Sequence, residues 1–138
     1  MKRTPLQRKT PMKRTPMKRT PTKKGKRSVS KKIPKESYNE VFRRAGQQCE
    51  VMADPLCTTR AEEWHHRKLR SQGGEHTVEN GLAVCAACHR HIHMNPADSY
   101  TAGWLVKSTH DPVDVPVTRR GLVVLLTRQG NFIGKEGP

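Results

Sequence analysis

The sequence predicts a small α+β domain behind a disordered basic arm, and three observations carry that reading. Basic residues crowd one end of the chain. Along the rest, apolar residues recur first at helical and then at alternating spacing. Four cysteines and seven histidines supply metal-ligand chemistry. A chain of 138 residues with two Phe, two Tyr and two Trp has room for one domain, and so small a core usually needs a metal or disulfides for stability.

The net charge of +15 is unevenly placed. Residues 1–35 hold 15 of the 27 Lys and Arg and none of the 12 Asp and Glu, whereas the remainder is formally neutral. In "KRTPLQRKTPMKRTPMKRTPTKKGKR", Thr-Pro recurs at positions 4, 10, 15 and 20, each pair flanked by Lys or Arg. Proline removes backbone donors and pushes the preceding residue out of the α region, so no continuous helix forms. The same spacing argues against a mitochondrial presequence, which must be an amphipathic helix. With almost nothing apolar to bury, residues 1–33 are expected to be disordered, and residues 34–138 to form the domain. One reading of the arm is a solubilising tail or localisation signal. The other is a phosphate-binding arm in which residues such as Lys13, Arg14, Lys18 and Arg19 meet a polyanion, favoured by charge of one sign with no acid interleaved.

No apolar run near the start reads as a signal peptide or a membrane span, so a cytoplasmic protein with no membrane partner is expected. In the cytoplasm a C-x-x-C pair is more often a metal knuckle than a disulfide. Export would instead leave the four thiols to pair in one of three ways.

In "PKESYNEVFRRAGQQC", Tyr38, Val41, Phe42 and Ala45 fall at i, i+3, i+4 and i+7, one face of a helix, and Gly46 is its natural stop. The helix delivers the chain to Cys49. A loop with a turn at Asp54-Pro55 then closes on Cys57. A short strand through "EEWHHRKL", a turn containing Gly73-Gly74 and a second strand "GLAVC" follow. The next helix starts near Ala87 and breaks at Asn95-Pro96. Beyond it, "ADSYTAGWLV" suggests a short helix. Alternating Val113, Val115 and Val117, a turn at "RRG" and the run "LVVLLT" suggest a hairpin that completes the core.

The stretch "CAACHRHIH" (85–93) belongs to two sites. In a helix His89 and His93 lie about 40° apart on one face, whereas His91 is about 200° from His89 and cannot join them. Cys85 and Cys88 form a tight knuckle whose sulfurs turn back toward the preceding loop, where Cys49 and Cys57 are the other thiols available. Cys49, Cys57, Cys85 and Cys88 are therefore expected to hold a closed structural Zn²⁺. A Cys₂His₂ finger is excluded, because His89 directly follows Cys88 where about twelve residues are required. The second site pairs His89 and His93 with one of His65 and His66, which are adjacent on a strand and so face opposite ways. The other histidine is left beside the metal. Glu63, on the same strand face as His65, is a candidate oxygen ligand, while isolated His76, His91 and His110 read as ordinary surface or core residues.

These residues resemble the HNH (ββα-metal) endonuclease family. The likeness runs from about Cys49 to Pro96, through "HHRKLRSQGG", "ENGLAVC" and "CHRHIH", leaving 97–138 as a helix and hairpin extension of a 49–96 core. Among the subtypes, the sequence is similar to the one ending in H-x-x-x-H, combined with the cysteine zinc knuckles common in small phage-encoded members. The resemblance implies a small ββα-metal core in which His65, His89 and His93 bind the catalytic metal, His66 is the general base, and Asn80 holds the loop and the His66 backbone. Many members carry Asp-His where this chain has His65-His66. Three imidazoles suit Zn²⁺, Ni²⁺, Co²⁺ or Mn²⁺ better than Mg²⁺. The implied function is metal-dependent hydrolysis of DNA phosphodiester bonds, with a phage packaging or recombination role in the host-cell cytoplasm. The alternative is a non-catalytic, zinc-bound DNA-binding or assembly protein with the same fold. Arg67, Lys68, Arg70 and Arg90 are near enough in sequence to clamp phosphate, or else are solvated surface charges.

Overall fold

A computed structural model describes residues 32–53 and 55–134 of the chain. The arm through residue 31, including Lys13, Arg14, Lys18 and Arg19, and Asp54 of the expected turn lie outside the described residues. The elements are α1 (Lys35–Ala45), β1 (Glu63–His66), β2 (Gly81–Val84), α2 (Ala86–Met94), α3 (Pro96–Thr101), β3 (Val117–Arg119), β4 (Leu122–Leu126) and β5 (Phe132–Gly134). The strands form two antiparallel sheets, β1-β2 and β3-β4-β5.

Helix α1 buries Val41, Phe42 and Ala45, the stripe its periodicity implies. Tyr38, on the same stripe, stays partly exposed and stacks on Phe42 with centroids 4.2 Å apart. Gly46 stops the helix in the left-handed region, φ 60°, which glycine adopts at no steric cost, and its N–H bonds back to the Arg43 carbonyl.

The β1-β2 hairpin is a partition between two apolar clusters. Its register pairs Trp64 with Ala83 and His65 with Leu82, so side chains alternate between faces. Ala83 and Trp64 pack with the stripe of α1. Leu82 and Val84 pack with Cys85, Cys88 and Ile92, and with Leu105, Val117, Val124 and Leu126 from the C-terminal part. Burial on both faces explains why β2 is a continuous apolar run with every residue buried.

Two charged struts run through this interior. Glu50, fully buried, accepts from Arg44 Nε and Nη2 at 2.8 Å each, from Arg119 Nε at 2.9 Å and from the Ala83 N–H at 3.0 Å. Burial alone would raise its carboxyl, but Arg44, the Ala83 N–H and Arg119 together hold it below the ordinary value. The buried charges are thus paired and hydrogen-bonded, the condition under which such groups are tolerated. Arg67, also fully buried, donates to the carbonyls of Gly103 (2.8 Å), Glu79 (3.2 Å), Pro112 (2.9 Å) and Val115 (2.7 Å). Burial, aided by Arg44, lowers its guanidinium to about 10, still charged at neutral pH. Arg67 thereby ties the 103–115 segment to the end of β1.

Gly103 is required where that segment approaches β3. Its φ is 75°, and a Cβ there would lie 1.9 Å from the Pro116 carbonyl oxygen. The expected Val113–Val117 strand is shorter than its alternation implies, with Val117 alone of the three in β3. The Pro112 and Val115 carbonyls go to Arg67 instead of a strand ladder, and Pro116 has no N–H to give. Three-residue β5 extends the expected hairpin to three strands. At the β3-β4 turn, Arg120 has φ 49° and donates to the carbonyls of Ala45, Gln48 and Cys49, fixing the sheet to the end of α1. Among the described residues no helix is long and apolar enough to cross a membrane.

Candidate functional site

The four cysteines come together where the Cys49–Cys57 loop meets the start of α2. One sulfur from each of Cys49, Cys57, Cys85 and Cys88 lies within 4.8 Å of every other. The Cys57 and Cys85 sulfurs are 3.9 Å apart, far beyond a disulfide bond and close to the separation of about 3.8 Å that two thiolates take on one tetrahedral Zn²⁺. Cys85 also caps α2 by accepting the Cys88 N–H at 3.4 Å, so the knuckle starts the helix. Burial would raise the Cys85 thiol, but N–H groups of Cys88 and Thr58 outweigh it and bring it down to about 6. Burial and the neighbouring Cys85 and Cys49 sulfurs push Cys88 well above its ordinary value. Four thiolates at this spacing would repel one another, and a divalent cation among them would offset that repulsion. The set therefore fits a structural zinc.

On the other flank of α2, His89 and His93 meet His65 of β1, each of the three offering a ring nitrogen within 4.8 Å of the others. The pleat decides which strand histidine takes part. His65 shares the α2-facing side of the hairpin with Leu82, and His66 falls on the α1 side beside Trp64, ring centroids 5.9 Å apart. His65 Nε2 lies 2.8 Å from the Trp104 carbonyl, to which it can only donate, and its Nδ1 is buried with no hydrogen-bond partner among the described residues. Burial, opposed by the Trp104 carbonyl and reinforced by His89, His93 and His66, drives His65 down to about 3. It is a neutral imidazole whose Nδ1 lone pair meets no donor among the described residues.

His89 Nδ1 is held by Glu63 Oε2 at 2.6 Å, leaving Nε2 for the cluster. Glu63, weighed above as an oxygen ligand, thus acts on a histidine, and a carboxylate behind a ligating imidazole fixes its ring orientation and tautomer. Burial and His89 lower His93. Three lone pairs with carbonyl and carboxylate partners behind two of them fit a borderline divalent cation. The cluster is buried at His65 and exposed at His93, so it is open on one side, as a site that admits substrate must be.

His66 Nε2 is 2.9 Å from His76 Nδ1. Burial, then the nearby charges of His76, Arg70 and His89, lower His66 to about 4, so it is neutral at pH 7. Buried Asn80 clamps the loop that follows: its Oδ1 accepts the Lys68 N–H at 2.6 Å, and its Nδ2 donates to the carbonyls of Lys68 (3.1 Å) and Glu75 (2.9 Å). Its backbone carbonyl accepts the Arg67 N–H at 2.8 Å. These bonds fall on residues after His66 and not on His66 itself.

Two sequence expectations are corrected: Asn80 bonds Lys68, Glu75 and Arg67 rather than the His66 backbone, and Arg67 is no phosphate clamp. Arg67 cannot clamp phosphate, because its side chain is fully buried and directed at four backbone carbonyls. Lys68 is half-buried with Nζ 3.3 Å from the His110 carbonyl, whereas Arg70 and Arg90 are exposed. Sequence reasoning missed Trp104, which acts through its backbone carbonyl and so leaves no side-chain signature. It also passed over His76, whose isolation in sequence hides its place against His66.

Residues 49–95 match the HNH endonuclease family model. No curated protein and no solved structure matches the chain. The matched span takes in the cysteine cluster, both strands of the hairpin and the helix bearing His89 and His93, and it identifies residues 49–95 as an HNH endonuclease family domain within a small α+β chain.

Proposed function

We propose that this chain is a metal-dependent endonuclease that hydrolyses DNA phosphodiester bonds. The observation that carries the reading is the open three-imidazole cluster on β1 and α2, with a neutral fourth histidine one residue along the same strand. In this reading His65, His89 and His93 hold the catalytic cation (Zn²⁺, Ni²⁺, Co²⁺ or Mn²⁺ in preference to Mg²⁺), and Cys49, Cys57, Cys85 and Cys88 hold a structural Zn²⁺. A cation bound by the imidazoles supplies Lewis-acid stabilisation of charge on the scissile phosphate and the departing 3′ oxygen. His66 takes the proton from the attacking water, which its neutral ring can do near pH 7. Asn80 keeps the 67–75 loop against the hairpin so that the His66 strand end is rigid. Arg70, Arg90 and Lys68 contact phosphate oxygens, and the basic arm with Lys13, Arg14, Lys18 and Arg19 adds sequence-independent affinity. The pathway that the family resemblance suggests is phage DNA packaging or recombination in the host-cell cytoplasm.

Incubation of supercoiled plasmid with the full chain and a panel of divalent metals tests this reading. Nicked or linear product is expected with at least one of Zn²⁺, Ni²⁺, Co²⁺ and Mn²⁺ and is lost on chelation. Plasmid that stays supercoiled across the panel while still being bound would leave a non-catalytic DNA-binding or assembly protein.

A further inference from the structure

We infer that His76 is the positioning residue for the general base His66, a role that rests on the nuclease reading above. His66 Nε2 lies 2.9 Å from His76 Nδ1, and the ring centroids are 5.0 Å apart. With Nε2 engaged, Nδ1 is the ring nitrogen of His66 left to meet water. It bears a lone pair in one tautomer alone, the one with the proton on Nε2. His76 Nδ1 selects that tautomer by accepting the Nε2–H, its own proton then residing on its Nε2. When His66 Nδ1 takes the proton from water, the resulting imidazolium still donates from Nε2 to the same acceptor, so the contact persists through the step.

The surroundings fit this role. His66 is also flanked by Trp64, ring centroids 5.9 Å apart, which limits rotation of its ring. His76 directly follows the loop whose ends Asn80 clamps, at Lys68 and Glu75. The Asn80 clamp therefore holds the acceptor as well as the loop, which gives the asparagine a route to the base although it makes no bond to His66. His76 also lines an open cavity of about 730 Å³ with Lys68, Thr77 and His110.

The test is a cycle of variants in the full chain, with kcat and KM for plasmid cleavage, metal content and melting temperature as readouts. His76→Phe keeps a flat ring without an acceptor, and His76→Asn puts an oxygen near the position of Nδ1. Expected are a kcat about tenfold lower in His76→Phe with KM, metal content and melting unchanged, substantial recovery in His76→Asn, and no further loss when His76→Phe is added to His66→Ala. Should the phenylalanine variant not fold, His76→Ala is read in the same way. Wild-type kcat in His76→Phe, or an additive loss in the double variant, would overturn the inference while leaving the nuclease reading intact. A wild-type chain that cuts nothing would instead overturn the reading beneath it.

Discussion

Cys85→Ser and Cys88→Ser are each expected to leave the chain unfolded or aggregated and without tightly bound zinc. Structural zinc supplies about 10–16 kcal/mol to small zinc-finger peptides, and an ordinary small domain is stable by only about 5–15 kcal/mol. Loss of one ligand therefore removes a term comparable to the whole stability. The effect reaches the second cluster, because Cys85 and Cys88 stand at the start of α2, the helix bearing His89 and His93. Far-ultraviolet circular dichroism and zinc content per chain check the outcome. A soluble Cys85→Ser variant with the wild-type melting temperature would rule out a structural role for the cluster, and so would two disulfides found by mass spectrometry.

His66→Ala is expected to lower cleavage by about 10²- to 10⁴-fold, the range that a positioned general base contributes, with folding, metal content and DNA binding retained. The alternation of β1 is the reason for the separation. His65 lies on the α2 side with the other two imidazoles, and His66 lies on the side of Trp64, outside that cluster. Removal of His66 should therefore leave the metal ligands undisturbed. Loss of the catalytic metal from His66→Ala would mean that the roles of the two adjacent histidines are exchanged.

Much of this architecture is legible in the sequence, because it depends on side-chain periodicity and ligand spacing. The stripe from Tyr38 to Ala45, the Gly46 stop, the i, i+4 pair His89 and His93, and the Cys85-x-x-Cys88 knuckle are all local patterns, and the structure forms α1 and α2 on them. What escaped is what depends on backbone acceptors far along the chain. Arg67 sits among other charged residues in "HHRKLR" and reads as a phosphate clamp, yet its partners are carbonyls of Glu79, Gly103, Pro112 and Val115, which carry no residue-specific mark. Trp104 reaches His65 through its carbonyl in the same way. The extension at 97–138 reads as mere core completion, although it supplies the acceptor that sets the His65 tautomer. Glu63 is visible as a carboxylate near a histidine site. Whether it meets metal or imidazole depends on the offset between β1 and α2, which alternation within a strand does not specify.

The central claim is that the nine residues from Cys85 to His93 serve two separate metal sites, one closed and structural, the other open and catalytic. The most direct measurement is the number of metal ions held per chain by the His89→Ala/His93→Ala double variant after dialysis against the activating metal. This variant is expected to keep about one zinc per chain and the wild-type melting behaviour but to lose the second metal that the wild-type chain retains. A double variant that held the second metal as tightly as the wild-type chain would contradict it.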